Sequence, residues 1–386
     1  MRKKISPNTG RIFSLLALSL IVLSGCAYVR AGVRGALHYA DSPPPPSSTG
    51  APLVVLPTVT PRPTDTPSPE PTATATGGAE HAVTPISLSG PAAQRNAEFS
   101  GMAWYGDTLI LLPQYPDYFT RDGQGVLFGL PKEQIIAYLD GARNAPLEPL
   151  QIPFSAPGLA ASLPGFEGYE GIAFEGDRIY LTVEAETWEG SSGYLVSGWM
   201  APDLSGVTLD PTQVAAIPNQ SGLGNKSDEA LVITPNEILT IHEVNAPAYN
   251  PAPVAHRFDK ELSPLTPASF PSVEYRITDA TQMDEDGRFW AINYFFPGDA
   301  ELAVETDPIA EESGQDATHA NRPQVERLLE FRYDGEQVVQ TDAPPIQLAL
   351  TLLARNWEGI ARLDDRGFLL VTDQFPETTL GFIASE

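Results

Sequence analysis

Five copies of one short pattern run through the chain, and they limit its fold more than any other feature. They read FSGMAWYGDTLILLPQ from Phe99, YEGIAFEGDRIYLTVE from Tyr169, DEALVITPNEILTIHE from Asp228, ITDATQMDEDGRFWAINY from Ile277 and WEGIARLDDRGFLLVTDQ from Trp357. In each, a polar residue and a small or turn-compatible one precede a short apolar run. A turn rich in Gly, Asp or Asn follows, and a second apolar run closes the unit. This turn chemistry, with β-branched and aromatic enrichment on both sides, predicts a β-hairpin. The stretches between copies leave room for two more strands, such as SGYLVSGWM and VTLDPTQVAAIP after the second hairpin. Four strands per repeat predict an all-β chain folded as a five-bladed β-propeller, with six blades as the alternative. The last repeat has room for only three strands, and HAVTPISLSG, ahead of the first copy, is expected to supply the fourth and close the ring.

Ahead of the repeats the chain changes character. It opens MRKK, carries Arg11, and runs apolar over residues 12–23 up to Leu23-Ser24-Gly25-Cys26. That run is too short for a membrane-spanning helix and has the layout of a signal peptide, residues 1–25. Small residues before the only cysteine resemble the lipobox of bacterial lipoproteins, which implies that Cys26 becomes the lipid-bearing N-terminus. The alternative is an ordinary secretory signal with an incidental cysteine. Residues 26–80 are rich in Pro, Thr and Ser, including PPPP and TPRPTDTPSPEPTATAT. Such a stretch buries no core and favours extended polyproline II, so it is expected to be a disordered stalk before a propeller domain over residues 81–386. The expected setting is extracytoplasmic, on the cell surface or periplasmic face, with the membrane reached through the lipid and the globular part monomeric. A single cysteine leaves no disulfide within the chain, so stability rests on a sizeable core.

The formal net charge is −26 at pH 7. Basic residues outnumber acidic ones before residue 81, so the acidic excess belongs to the repeats. A surface of this kind repels nucleic acid and favours cations. Residues 299–316, acid-rich and free of bases, read as a solvated loop.

In a propeller the first strand of each blade lines the central channel, so equivalent positions converge on one axis. The residue just before the small one is Ser100, Glu170, Glu229, Thr278 and Glu358. The repeat thereby turns five distant residues into one ring of oxygens with three carboxylates, which repel one another unless a cation intervenes. Hard oxygen donors without His or Cys favour Ca²⁺ over Zn²⁺, and over Mg²⁺ with its stricter octahedron. The alternative is that these carboxylates bond strand-start amides of neighbouring blades and hold no ion.

The motifs NAEFSGMAWYGDTL, YEGIAFEGDRIYLTVE and NWEGIARLDDRGFLLVTDQ resemble hairpins of the phytase-like (esterase-like activity of phytase) β-propeller family of exported bacterial proteins, over about residues 95–386. The order Ser, Glu, Glu, Thr, Glu is also similar to the central calcium ring of the five-bladed soluble calcium-activated nucleotidases. The resemblance implies a propeller and, more loosely, phosphoester chemistry.

Loops before the ring positions carry Arg95, Lys226, Arg276 and Arg355, which are candidates for binding an anion or, equally, for pairing with nearby acids such as Glu98, Asp228 or Asp279. The second strands end in Gln114, Glu184, Glu243, Asn293 and Asp373, and a carboxylate among them is a candidate general base. No nucleophile elbow, metal-ligand His spacing or Gly-rich phosphate loop appears. Trp104, Trp188, Trp199, Trp290 and Trp357 read as packing between blades, while Tyr115, Tyr118, Phe119, Phe295 and Phe296 are placed to line a pocket. Two functions follow as expectations: a surface-displayed binding or scaffold propeller around Ca²⁺, taking a small molecule or a surface ligand, or a Ca²⁺-dependent phosphoester hydrolase.

Overall fold

The computed structural model describes residues 79–120, 124–188, 190–315 and 317–385. The signal peptide, Cys26 and nearly all of the stalk lie outside the described residues. The strands in chain order are β1 (Thr84–Ile86), β2 (Phe99–Tyr105), β3 (Thr108–Pro113), β4 (Gly125–Pro131), β5 (Leu150–Ser155), β6 (Phe166–Glu175), β7 (Arg178–Thr187), β8 (Gly190–Met200), β9 (Val207–Ile217), β10 (Asp228–Ile233), β11 (Ile238–His242), β12 (Val254–Phe258), β13 (Ala268–Ser269), β14 (Arg276–Ala280), β15 (Arg288–Phe295), β16 (Val325–Tyr333), β17 (Val338–Gln340), β18 (Ile346–Gln347), β19 (Trp357–Arg362), β20 (Gly367–Thr372) and β21 (Leu380–Ala384).

They form five antiparallel blades among the described residues. Blade 1 is β2 to β5, blade 2 is β6 to β9, blade 3 is β10 to β13, blade 4 is β14 to β17 with β18 beside β16, and blade 5 is β19 to β21 completed by β1. Strand β1 pairs with β21, Thr84 facing Phe382, so the ring closes by an N-terminal strand within the stretch from which the sequence drew its fourth strand. A short parallel contact between β5 and β9 also joins the rims of blades 1 and 2.

The core lies between blades. Because a blade is covered on both faces, its strands need apolar residues at every position, and alternate side chains enter opposite layers. Along β3, Leu109 and Leu111 join Phe99, Phe128, Leu369 and Val371 in the layer toward blade 5. Ile110 and Leu112 join Ile172, Leu181 and Val183 in the layer toward blade 2. Trp290 and Trp357 fill the layer between blades 4 and 5. Trp188 and Trp199, also expected to pack between blades, are instead 92% and 59% exposed. The first stands just past the end of β7 and the second on β8, where Arg178 covers its ring.

The first strands β2, β6, β10, β14 and β19 each touch the first strands of both neighbouring blades and so enclose the channel. Glycine makes this approach possible. A Cβ at Gly101 would lie 2.8 Å from the Glu170 carbonyl oxygen, and one at Gly171 would lie 2.3 Å from that of Glu229. The small residue in the repeat is therefore the place where one blade passes the backbone of the next.

Candidate functional site

Every ring position coincides with a break in strand register. Pairing between first and second strands shifts between Phe99 and Gly101, between Tyr169 and Ile172, between Asp228 and Ala230, between Ile277 and Ala280, and between Trp357 and Gly359. Ser100, Glu170, Glu229, Thr278 and Glu358 each fall in such a shift. A bulge inserts an unpaired residue and re-aims its side chain, which brings these five to the axis instead of into the layers between blades. All five are buried.

The two hydroxyl positions serve the scaffold. Ser100 Oγ donates to the Tyr169 carbonyl oxygen at 2.6 Å, and Thr278 Oγ1 donates to that of Trp357 at 2.6 Å. In each case the acceptor is the residue before the ring glutamate of the next blade. The residue after Thr278 is also committed. Asp279 accepts from the Ile360 amide at 2.8 Å and bonds the Ala280 and Met102 amides, so it ties β14, β19 and β2 together.

The carboxylates are under-supplied with partners. Glu170 Oε1 accepts from Gln114 Nε2 at 2.8 Å. Glu358 Oε1 lies 3.0 Å from Arg276 Nη2, and Glu229 Oε2 lies 3.7 Å from the same atom. Glu243, fully buried at the end of β11, bonds Arg276 Nε and stands 3.5 Å from Lys226 Nζ. Among the described residues, oxygens on Glu184, Glu229 and Glu243 are buried with no hydrogen-bond partner. Burial and the Glu243 charge push Glu184 up to about 8. Burial, opposed by Arg276, leaves Glu358 at about 7. Burial also raises Glu170 and Glu229 well above the ordinary carboxyl range. For Glu243 burial pulls the same way, but Arg276 and Lys226 outweigh it and hold the group ionised.

Glu170, Glu184, Glu229, Glu358, Lys226 and Arg276 line the floor of a cavity of about 660 Å³ on the ring face, with Glu243 buried behind it. Of the four bases singled out by sequence, Lys226 and Arg276 line it. Arg355 turns away into a buried pair with Glu326, 2.7 Å apart, and stacks on Trp357. Arg95 is exposed, donates to the Gln374 carbonyl at 3.0 Å and covers the Phe375 ring. The acids expected to pair these bases do other work: Asp228 is held by Thr240, His242 and His256, and Asp279 bonds amides. Among the strand ends, Gln114, Glu184 and Asp373 line the cavity. Asn293 instead bonds the Arg276 carbonyl and accepts from Arg327.

Tyr115 and Phe296 line the mouth as anticipated. Tyr118 stacks on Tyr115, Phe119 packs on Phe128, and Phe295 stacks on Tyr275. Sequence reasoning missed Tyr294, Asn356 and Phe375, which also line the cavity. Tyr294 stands near the end of β15, two residues before Phe296 just past it, so period-two reasoning carried along the strand had the means to find it. Asp299, from the stretch read as a solvated loop, reaches the cavity as well.

No protein-family model and no curated protein matches this chain. Among solved structures it is similar to a mutant α-L-arabinanase from Cellvibrio cellulosa, at 9% identity over 75% of this chain and 92% of that one, TM-score 0.43. It is likewise similar to the catalytic domain of an α-L-arabinofuranosidase from Coprinopsis cinerea, at 8% identity over 81% and 98%, TM-score 0.41. A third is a β-1,2-mannobiose phosphorylase from Listeria innocua, at 10% identity over 79% and 90%, TM-score 0.41. None of these matches singles out the phytase-like family, and at such identities and TM-scores the cavity has to be read from its own residues.

Proposed function

We propose that this is an exported, lipid-anchored binding propeller whose ring-face cavity takes a small organic cation. The observation that carries the reading is the pair of buried carboxylate oxygens on Glu184 and Glu229, both lining the cavity, that have no hydrogen-bond partner among the described residues. An unpaired buried carboxylate is costly, and a positive ligand group restores its ionised form with a charge-assisted bond. Glu170 and Glu184 are the best placed, because Arg276 and Lys226 stand with Glu243, Glu229 and Glu358 while Glu170 is bonded by the neutral Gln114. The aromatic walls, Tyr115, Tyr294, Phe296 and Phe375, suit a cation by their negative ring faces. The acidic excess of the domain favours approach of a cation and opposes a phosphoester. Phosphoester hydrolysis loses ground for the same reason, since both bases in the cavity already face carboxylates.

The test is a calorimetric titration of the full chain with benzyltrimethylammonium. Glu184→Gln or Glu170→Gln should weaken binding by about tenfold, as the loss of one charge-assisted contact implies. Lys226→Met should strengthen it by removing a competing positive charge. Weaker binding of the cation in Lys226→Met, with both glutamine variants unchanged, overturns the reading.

One observation favours an enzymatic alternative. Glu184, held neutral up to about pH 8 and facing the cavity, has the protonation state of a general acid. Turnover of chromogenic esters or glycosides by the wild type, abolished in Glu184→Gln, would select that reading.

A further inference from the structure

A divalent ion was expected at the axis, and a guanidinium stands there. Arg276 extends from the start of β14, two residues before Thr278. Its Nε donates to Glu243, Nη1 donates to Asn356 Oδ1 at 3.2 Å, and Nη2 donates to Glu358 Oε1 at 3.0 Å and lies 3.7 Å from Glu229 Oε2. Two of the three ring carboxylates and the strand end of blade 3 therefore share one cation. The side chain is only 11% exposed, and the Tyr294 ring lies beneath it at 5.6 Å.

The remaining ring positions do not gather round a second centre. Ser100 and Thr278 donate their protons to the backbone of the next blade, and Glu170 is turned to Gln114. Among the described residues no three His, Cys, Asp or Glu side chains are grouped as a metal would require. A calcium ion needs six to eight oxygens at about 2.3–2.6 Å. To assemble them here, Arg276 would have to leave Glu229 and Glu358 and stay buried beside the ion. Two cations would then compete for the same oxygens.

Guanidinium suits the place it holds. It is charged at every accessible pH, and its planar fork of five donors bridges several acceptors at once where an ammonium acts as a point. Reaching Glu229 and Glu243 on blade 3 and Asn356 and Glu358 on blade 5 from a backbone in blade 4, it joins three consecutive blades at the axis.

We propose that Arg276 is the resident cation of the ring, a tethered guanidinium that locks blades 3, 4 and 5 together in the place where a ring of this residue order would otherwise hold a metal ion. The inference does not rest on the cationic-ligand reading of the cavity.

The experiment is a melting curve of the full chain in Ca²⁺ and in chelator, with elemental analysis of the purified protein. The wild type should carry no stoichiometric calcium and melt at the same temperature in both conditions. Arg276→Met should melt lower in chelator and recover with Ca²⁺ by about 5 °C or more at a hundredfold excess over the dissociation constant, because the freed carboxylates then accept the ion. Should Arg276→Met not fold in either condition, Arg276→Lys decides. Folding without regard to Ca²⁺ supports the proposal, and uptake of Ca²⁺ by the lysine variant overturns it. About one equivalent of calcium in the wild type, a Ca²⁺-dependent rise in its melting temperature, or a folded Arg276→Met chain indifferent to Ca²⁺ also overturns it.

Discussion

Glu184 and Glu358 keep their protons to about pH 8 and about pH 7, well above the ordinary carboxyl value of 4.5. A carboxyl whose folded pKa is raised favours folding fully below its unfolded value and loses that advantage as pH rises through the folded one. The melting temperature should therefore decline between about pH 4.5 and 8, and Glu184→Gln, permanently neutral, should make the decline shallower. A rise over that window, or a profile unaltered by the substitution, contradicts the assignment. The ring glutamates were legible because each stands at the same place in an aligned repeat. The part played by Arg276 was not, since a base close to a ring position suits a surface pair equally well. Arg355 makes the point: it too precedes a ring glutamate by a few residues, yet it turns to Glu326 and leaves the cavity altogether. Only blade-to-blade geometry separates the two.

At the scale of elements, turn chemistry and apolar patterning were enough to place the five hairpins and the closing strand. The bulges were hidden, because a residue inserted at the same place in every repeat leaves the alignment undisturbed. The short outer strand β13 was equally illegible, its two residues carrying too little pattern. Closure by β1 has a measurable consequence. Deleting residues 81–90 removes the partner of β21 and exposes its edge, so the melting temperature should drop by several degrees relative to a chain lacking only residues 42–75. Equal melting temperatures for the two truncations would falsify closure by this strand. The glycines after Ser100 and Glu170 had a readable role too, since only a residue without Cβ lets a neighbouring carbonyl pass so closely.

For the whole molecule, the repeat turns a linear pattern into one polar axis, and its chemistry follows from how charge is distributed there. Carboxylates from blades 3 and 5 meet one guanidinium from blade 4 and one ammonium from the loop before blade 3, while those of blade 2 stand apart from both, so the floor of the cavity keeps an acidic excess. If Cys26 carries the lipid, Cys26→Ser should leave the protein in the soluble fraction or as uncleaved precursor, and unchanged membrane attachment would argue against the anchor. The central claim, that the cavity is built for a positive ligand, is tested most directly by one measurement on the intact wild-type chain. Dissociation constants are determined under one set of conditions for benzyltrimethylammonium, benzyl alcohol and benzoate, which share an aromatic ring and differ in charge. The cation should bind at least about tenfold tighter than the alcohol, the margin of one charge-assisted contact, and benzoate should not bind measurably. Benzoate binding as tightly as the cation, or three equal constants, would contradict that claim.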